Sequence, residues 1–252
     1  MYVCLQEGRI TMKNDAKIGL LKWEGGKVPR SLMQLEELQG NSTNPSSYRF
    51  PIRMEEVPGA TTETIITNPS QEVLAHCIDI AKQMETDGIK AITTSCGFNA
   101  IFQRELANAV NIPVFTSSLL QIPFVQQIIG SDNTVGVVTA SKSNLSKKHL
   151  EYCGITDDMN VKIFGLENCV QFGKLFTDPD GDVDMGIIEQ EIVGTAIDAV
   201  KENSDIKAIV LECTDLPPFA RKISEATGLP VFDIITLINY VAFSVGAISL
   251  YE

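Results

Sequence analysis

One stretch of this chain occurs twice, and this internal repeat constrains the fold more than any other feature. Residues 89–115 read IKAITTSCGFNAIFQRELANAVNIPVF, and residues 206–232 read IKAIVLECTDLPPFARKISEATGLPVF; at an offset of 117 residues they align without a gap, with eleven identical positions. Each copy is a short apolar run that ends in a cysteine, followed by an amphipathic segment and a second apolar run after a proline. This pattern predicts a strand, a helix and a parallel strand.

The same offset also aligns the first strand of each half, because it carries residues 18–21 onto residues 135–138. The sequence therefore predicts an α/β fold of two pseudo-symmetric, doubly wound parallel-sheet domains with the active site in the cleft between them. We assign residues 17–116 and 233–252 to the first domain and residues 117–232 to the second. Residues 1–16 are interpreted as an N-terminal extension, and the apolar segment from Ile234 is expected to pack on the first half.

Composition excludes several classes of partner. A net charge of −12 and a pI near 4.7 argue against a nucleic-acid surface, which needs a basic face. No apolar run approaches the roughly eighteen residues of a membrane span, and the first residues lack a signal-peptide pattern. We therefore expect a cytoplasmic protein whose six cysteines are free thiols. Its expected partner is a small-molecule carboxylate substrate, and a homo-oligomer is left open.

Cys96 and Cys213 are the candidate catalytic residues. Each ends an apolar strand just before a helix, where the positive end of the helix dipole is expected to lower the pKa of a thiol. The structural alternative is a pair of packing cysteines retained from a duplication. A metal or redox pair is a further alternative, but neither cysteine has a neighbouring Cys or His at ligand spacing. Cys77, Cys153 and Cys169 are interpreted as small buried hydrophobes.

Two thiols that face each other across a cleft suit the removal of a proton from carbon on one side and its return on the other. The carbanion between them needs hydrogen-bond donors aimed at an adjacent carboxylate. Polar side chains at the strand ends are therefore substrate-binding candidates: Ser95, Asn99, Thr139, Ser141 and Thr214. Trp23, which follows the first strand beside Gly25 and Gly26, is included with them because the glycines allow close approach of the backbone to a ligand.

These residues resemble the aspartate/glutamate racemase superfamily, also called the Asp/Glu/hydantoin racemase group, from about Lys17 to the end of the chain. The most specific piece is Cys213-Thr214-Asp215 with Pro217, because aspartate racemases have Cys-Thr and then an acidic residue there. Residues 139–141 resemble the family's second carboxylate-binding turn, and residues 117–120 the helix start after the crossing between domains. The resemblance implies an enzyme that uses neither pyridoxal phosphate nor a metal.

The chain also departs from this family pattern. Gly97-Phe98-Asn99 follows Cys96, where amino-acid racemases usually have Asn-Thr. Residues 22–26 lack the Gly-Gly-Met-Gly-Pro of aspartate racemases. These departures leave the substrate open, and Phe98 makes the expected pocket more apolar.

The function expected from the resemblance is that of a cofactor-independent amino-acid racemase or epimerase. It would act on a small carboxylate-bearing compound, such as aspartate, glutamate or a hydantoin-like relative, by proton transfer between Cys96 and Cys213. Alternatives with the same fold are a maleate-type cis–trans isomerase and a decarboxylase with one catalytic cysteine, and the presence of both cysteines disfavours the decarboxylase. A non-catalytic, two-lobed ligand-binding protein is the alternative from another class.

Overall fold

The computed structural model describes residues 15–26 and 28–249. The extension assigned to residues 1–16 therefore lies almost entirely outside the described residues. Across the described part, two four-stranded parallel sheets carry helices on their faces, as the repeat predicts.

The first sheet has the strand order β2-β1-β3-β4. Its central strand β1 is buried because Ile18 and Leu20 are fully enclosed by flanking helices. Ser70 begins the long helix of this half, since its side chain accepts a hydrogen bond from the backbone N–H of Val73. The elements are β1 (Ile18–Lys22), α1 (Arg30–Glu36), β2 (Ile52–Glu56), α2 (Gln71–Thr86), β3 (Ala91–Thr94), α3 (Gln103–Ala109) and β4 (Val114–Phe115).

The second sheet repeats this topology in the order β6-β5-β7-β8. Its strands and helices are α4 (Ile122–Ile129), β5 (Thr134–Thr139), α5 (Lys147–Tyr152), β6 (Val161–Gly165), α6 (Lys174–Thr177), α7 (Met185–Glu202), β7 (Ile206–Leu211), α8 (Ala220–Thr227) and β8 (Val231–Phe232). The two sheets of matching order confirm the predicted fold class of two pseudo-symmetric α/β halves.

The last helix, α9 (Ile234–Ser244), returns to the first half. Its apolar residues Ile234, Ile238 and Ala242 recur at four-residue spacing and pack against Ile18 and Phe115 of the first sheet. Asp233 caps this helix by accepting a hydrogen bond from the backbone N–H of Thr236 at 2.7 Å.

The two cysteine units differ locally from the prediction of a strand that runs directly into an α-helix. Cys96 is followed by a 3₁₀ segment over Gly97–Phe102, so α3 begins only at Gln103. Cys213 lies beyond Glu212 at the end of β7, and a 3₁₀ turn over Pro217–Phe219 precedes α8. Each thiol is therefore separated from the first turn of the following α-helix.

Candidate active site

A cavity of about 610 Å³, counted to its open mouth, lies between the two halves and brings Cys96 and Cys213 together. It lies beyond the carboxyl ends of the strands, where ligands bind in open α/β sheets. The first half contributes Trp23, Pro29, Leu32, Glu36, Thr62, Ile66, Ser95, Cys96, Gly97 and Phe98; the second contributes Ala140, Phe172, Leu175, Phe176, Cys213, Thr214 and Asp215.

Cys96 is buried at the end of β3. The backbone N–H of Ser95 donates to the carbonyl of Leu21 at 2.9 Å, which fixes this strand end beside β1. Burial and the nearby Glu212 carboxyl raise the pKa of the Cys96 thiol well above its usual value. The backbone N–H of Phe98 and the indole N–H of Trp23 act in the opposite direction and lower that pKa. The net shift is upward, because burial is the largest influence on the pKa of this thiol.

The surroundings of Cys213 differ from those of Cys96. The Cys213 Sγ donates to Oδ2 of Asp215 at 3.5 Å, and Nδ2 of Asn41 donates to the other oxygen of Asp215 at 2.7 Å. Burial and Asp215 raise the pKa of the Cys213 thiol well above its usual value. Burial also raises the pKa of Asp215 to about 6. Cys213 is therefore held as a thiol that donates to a carboxylate.

The expectation of thiols with a low pKa is wrong, because the pKa of each thiol is raised. The α-helix N-termini are too far along the chain to act on the sulfurs, because helix-dipole effects fall off within a turn. Burial disfavours the charged thiolate, and the carboxyls of Glu212 and Asp215 add like-charge repulsion.

Glu212 is a fully buried carboxyl behind the two cysteines. Its Oε2 accepts a hydrogen bond from the Thr139 hydroxyl at 2.7 Å, whereas Oε1 has no partner among the described residues. Burial raises its pKa to about 7. Gly97 leaves room for Glu212, since a Cβ at position 97 would lie 2.1 Å from the Glu212 carbonyl oxygen. This contact gives a physical reason for the glycine after Cys96.

The cavity wall is acidic and aromatic. Glu36 and Asp215 both line it, together with the rings of Trp23, Phe98, Phe172 and Phe176. Burial and the Asp215 carboxyl raise the pKa of Glu36 to about 7. None of the described residues that line the cavity is a Lys, Arg or His.

The predicted substrate-binding residues divide into two groups. Ser95, Thr214 and Trp23 line the cavity, and the Thr214 hydroxyl donates to the Ser95 carbonyl at 2.5 Å, which joins the two halves. Asn99, Thr139 and Ser141 lie outside the cavity wall. The Thr139 hydroxyl is used by Glu212, and Ser141 lines a separate open cleft, where its hydroxyl contacts Ser143 and Asn144.

Sequence reasoning did not select Glu36 or Asp215. Asp215 could have been found, because it follows Cys213 by two residues and the repeat aligns it with Phe98. Glu36 carries no such signal, since it lies in a short helix within a polar stretch that has no counterpart in the repeat. Phe172, Leu175 and Phe176 line the cavity from the stretch between β6 and α7, which also lies outside the repeat.

Residues 15–26 and 28–249 contain neither a metal-binding cluster nor a helix that could span a membrane. No group of three or more His, Cys, Asp or Glu side chains there is arranged to hold a metal ion. Likewise, none of the helices in these ranges combines the length and the apolar character needed to cross a membrane.

Comparison with known proteins gives a family and several relatives. The family described as Asp/Glu/hydantoin racemase matches residues 51–238. A dimethylsulfoniopropionate lyase from Durusdinium sp. clade D is 31% identical over 209 residues, which cover 81% of this chain and 69% of the relative. Dimethylsulfoniopropionate lyase 3 from Emiliania huxleyi (strain CCMP1516) is 32% identical over 210 residues, and the match spans 79% of this chain but 54% of that protein's length.

Solved structures share the fold at lower sequence identity. The crystal structure of allantoin racemase from Pseudomonas fluorescens superposes with a TM-score of 0.56 at 18% identity, covering 90% of each chain. At this identity the likeness concerns the arrangement of the two α/β halves.

Proposed function

The chain belongs to the Asp/Glu/hydantoin racemase family, and on this premise we propose that it is a lyase that removes a proton from the carbon beside a carboxylate and expels a neutral sulfide. The proposed substrate is dimethylsulfoniopropionate, the compound in the names of the relatives in Durusdinium and Emiliania huxleyi. Racemases and a lyase of this kind share one demanding step, the removal of a proton from a carbon acid.

The proposed reaction is a β-elimination. The Cys96 thiolate takes a proton from the carbon next to the carboxylate, and the electrons of that C–H bond form the new C=C bond. The bond between the β-carbon and sulfur breaks, and its electron pair leaves with dimethyl sulfide. Acrylate remains, and Cys96 returns its proton to solvent.

The observation that carries this proposal is the chemistry of the cavity wall between the two cysteines. Two carboxyls and four aromatic rings face the ligand space, and no cationic side chain is present among the described lining residues. Such a wall favours a positively charged ligand, through charge attraction and cation–π contact. A dicarboxylic amino acid would instead bring a second negative charge toward Glu36 and Asp215.

The two cysteines also differ in the way that an elimination requires. Among the described residues Cys213 donates to a carboxylate and Cys96 does not, and the backbone N–H of Phe98 lowers the pKa of the Cys96 thiol, so Cys96 is assigned as the base. Cys213 donates to Asp215, so it is assigned the role of holding that carboxylate beside the sulfonium group. Burial is the largest cause of the raised pKa of Cys96, and Glu212 and Asp215 add to it. A bound cation would offset the contribution of these carboxyls, so substrate binding would help to form the thiolate.

A racemase or epimerase that uses both cysteines is the second candidate. The symmetry of the site favours this candidate, because each half contributes one thiol to the same cavity. The backbone N–H of Phe98 lies near the Cys96 sulfur, and the backbone N–H of Asp215 lies near the Cys213 sulfur. In this case Cys96 and Cys213 would exchange the roles of acid and base for the two enantiomers.

One experiment separates the two candidates. The purified protein is incubated with dimethylsulfoniopropionate, and dimethyl sulfide is measured in the headspace while acrylate is followed in solution. In parallel, aspartate, glutamate and allantoin are monitored by optical rotation. Equal amounts of dimethyl sulfide and acrylate support the lyase. Loss of optical rotation without release of sulfide would replace it with the racemase.

A further inference from the structure

Glu36 occupies an unusual position in the molecule. It is the last residue of α1, it lines the cavity on one side, and it lines an outer cleft with Lys22 and Trp23 on the other. Lys22 pairs with Glu56 at 3.1 Å. The Thr43 side chain and the charge of Lys22 lower the pKa of Glu36, but burial and Asp215 outweigh them. Glu36 forms no salt bridge among the described residues.

A half-buried carboxylate beside a second carboxylate is unfavourable unless one of them takes up a proton or a cation lies between them. Glu36 and Asp215 line the same cavity, and Asp215 adds to the pKa elevation of Glu36. A positive charge placed between the two groups would therefore be stabilised by both.

Trp23 provides an independent indication that the cavity is built for a ligand. Its side chain is 92% buried, being 8% exposed, and its indole N–H has no hydrogen-bond partner of ordinary geometry among the described residues. This N–H faces the sulfur of Cys96. An unpaired buried donor at this point fits the carboxylate of a ligand whose neighbouring carbon lies at Cys96.

We propose that Glu36, together with Asp215, binds the positively charged end of a zwitterionic onium carboxylate, and that Glu36 is the residue that makes this cavity selective for such compounds. This inference rests on the proposed function and adds a recognition residue to it. The family match begins at residue 51, so Glu36 and Trp23 are supplied by a segment outside the matched region.

The test compares two ligands of the same shape. Dimethylsulfoniopropionate carries a sulfonium group, and 4-methylpentanoate places an uncharged carbon at the same position. Trp23 is the one tryptophan of the sequence and lines the cavity, so its fluorescence reports binding of either ligand. Titrations are made in the Cys96→Ser variant of the full chain, so that substrate is not consumed during the measurement.

The Cys96→Ser protein, the parent in these titrations, should bind dimethylsulfoniopropionate more tightly than 4-methylpentanoate. Adding Glu36→Gln should reduce its affinity for dimethylsulfoniopropionate by about tenfold or more, since a charge contact of about 1.4 kcal/mol is lost, and should leave binding of 4-methylpentanoate unchanged. Glu37→Gln is the matched control, because Glu37 is exposed, follows Glu36 directly and lines only the outer cleft. Glu36→Asp, which keeps the charge, should retain the preference.

The outcomes distinguish this inference from the proposed function. A preference for the sulfonium compound that disappears only in Glu36→Gln supports the cation site even if no dimethyl sulfide is released, in which case the lyase assignment alone fails. An unchanged preference in Glu36→Gln overturns the role of Glu36. Equal binding of both ligands by the parent variant overturns it as well.

Discussion

At the scale of single residues, the two cysteines are equivalent in the repeat but not in their surroundings. Cys96 has thiolate-stabilising donors from Phe98 and Trp23, whereas Cys213 is hydrogen bonded to Asp215. Residues that occupy matching positions of a duplicated fold can therefore take different chemical roles, because their neighbours come from segments that differ between the halves.

This difference leads to a prediction about serine substitutions. Cys96→Ser should lower kcat for dimethyl sulfide release by at least about 100-fold, because a serine hydroxyl is a far weaker acid and cannot form the base. Cys213→Ser keeps a hydroxyl donor for Asp215 and should lose only about tenfold. Cys77→Ser is a control for loss of a thiol away from the cavity. Equal and complete loss of dimethyl sulfide release in both active-site variants would instead show that Cys213 is as necessary for the elimination as Cys96.

A second residue-scale prediction concerns Glu212. Its pKa is raised from 4.5 to about 7, so the folded state retains its proton over a range in which the unfolded state has lost it. The stability present below pH 4.5 is therefore lost as the pH rises toward 7, and the loss amounts to about 3 kcal/mol at most. A glutamine side chain does not titrate. When the pH rises above 7, the Glu212→Gln protein should therefore lose less unfolding free energy than the parent protein.

Urea unfolding of both proteins at pH 5 and pH 8 measures this effect. The difference in unfolding free energy between variant and parent should shift in favour of the variant at pH 8. If the two pH profiles run parallel, Glu212 is not responsible for the pH dependence.

At the scale of elements, the 3₁₀ segment after Cys96 decides how closely the two halves approach. A Cβ at position 97 would clash with both the carbonyl and the side chain of Glu212. Because Glu212 directly follows β7 of the other half, the absence of a side chain at residue 97 permits this packing. The departure from the Asn-Thr of amino-acid racemases is thus linked to the presence of a buried glutamate across the interface.

We expect Gly97→Ala to be destabilising. Its Cβ would be 2.1 Å from the Glu212 carbonyl oxygen, so the backbone has to move, at a cost of roughly 1–3 kcal/mol. Gly194→Ala is the matched control, because position 194 lies inside α7 and has open space around it. That change should stabilise the helix by about 0.5–1 kcal/mol. Thermal unfolding compares the two, and a Gly97→Ala protein as stable as the parent would contradict the packing argument.

At the scale of the whole molecule, the cavity is roofed by contacts between the halves. The N–H and the hydroxyl of Ser31 donate to the carbonyl of Pro179 at 3.0 and 2.9 Å. The N–H of Val183 donates to the Gln34 side chain at 3.1 Å. These bonds join α1 to the segment after α6 and hold the two halves together beside the cavity.

Loosening this roof should weaken ligand binding. Ser31→Ala removes the hydroxyl bond to Pro179, which is worth about 1 kcal/mol, and should raise KM for dimethylsulfoniopropionate by up to about fivefold with little change in kcat. Ser131→Ala, an exposed serine on the turn before β5, serves as the control. A normal KM in Ser31→Ala would show that this bond does not hold the roof in the ligand-bound state.

The sequence by itself determined the architecture and the cysteine pair. The repeat at an offset of 117 residues predicted two matching sheets, because hydrophobic periodicity is a local property that a single chain displays. It also predicted that the thiols at the ends of β3 and β7 would meet in one cavity, because equivalent strand ends of two related halves face the same cleft.

The tertiary structure alone decided the charge of the cavity and the protonation of its groups. Glu36 and Asp215 are far apart in the chain, and only packing of α1 over the second half brings both to the cavity. Thr139 was expected to contact substrate, but its hydroxyl is held by Glu212. The pKa of a thiol or carboxyl depends on burial and on neighbours from distant segments, so the expectation of a low thiol pKa, made from position along the chain, was wrong.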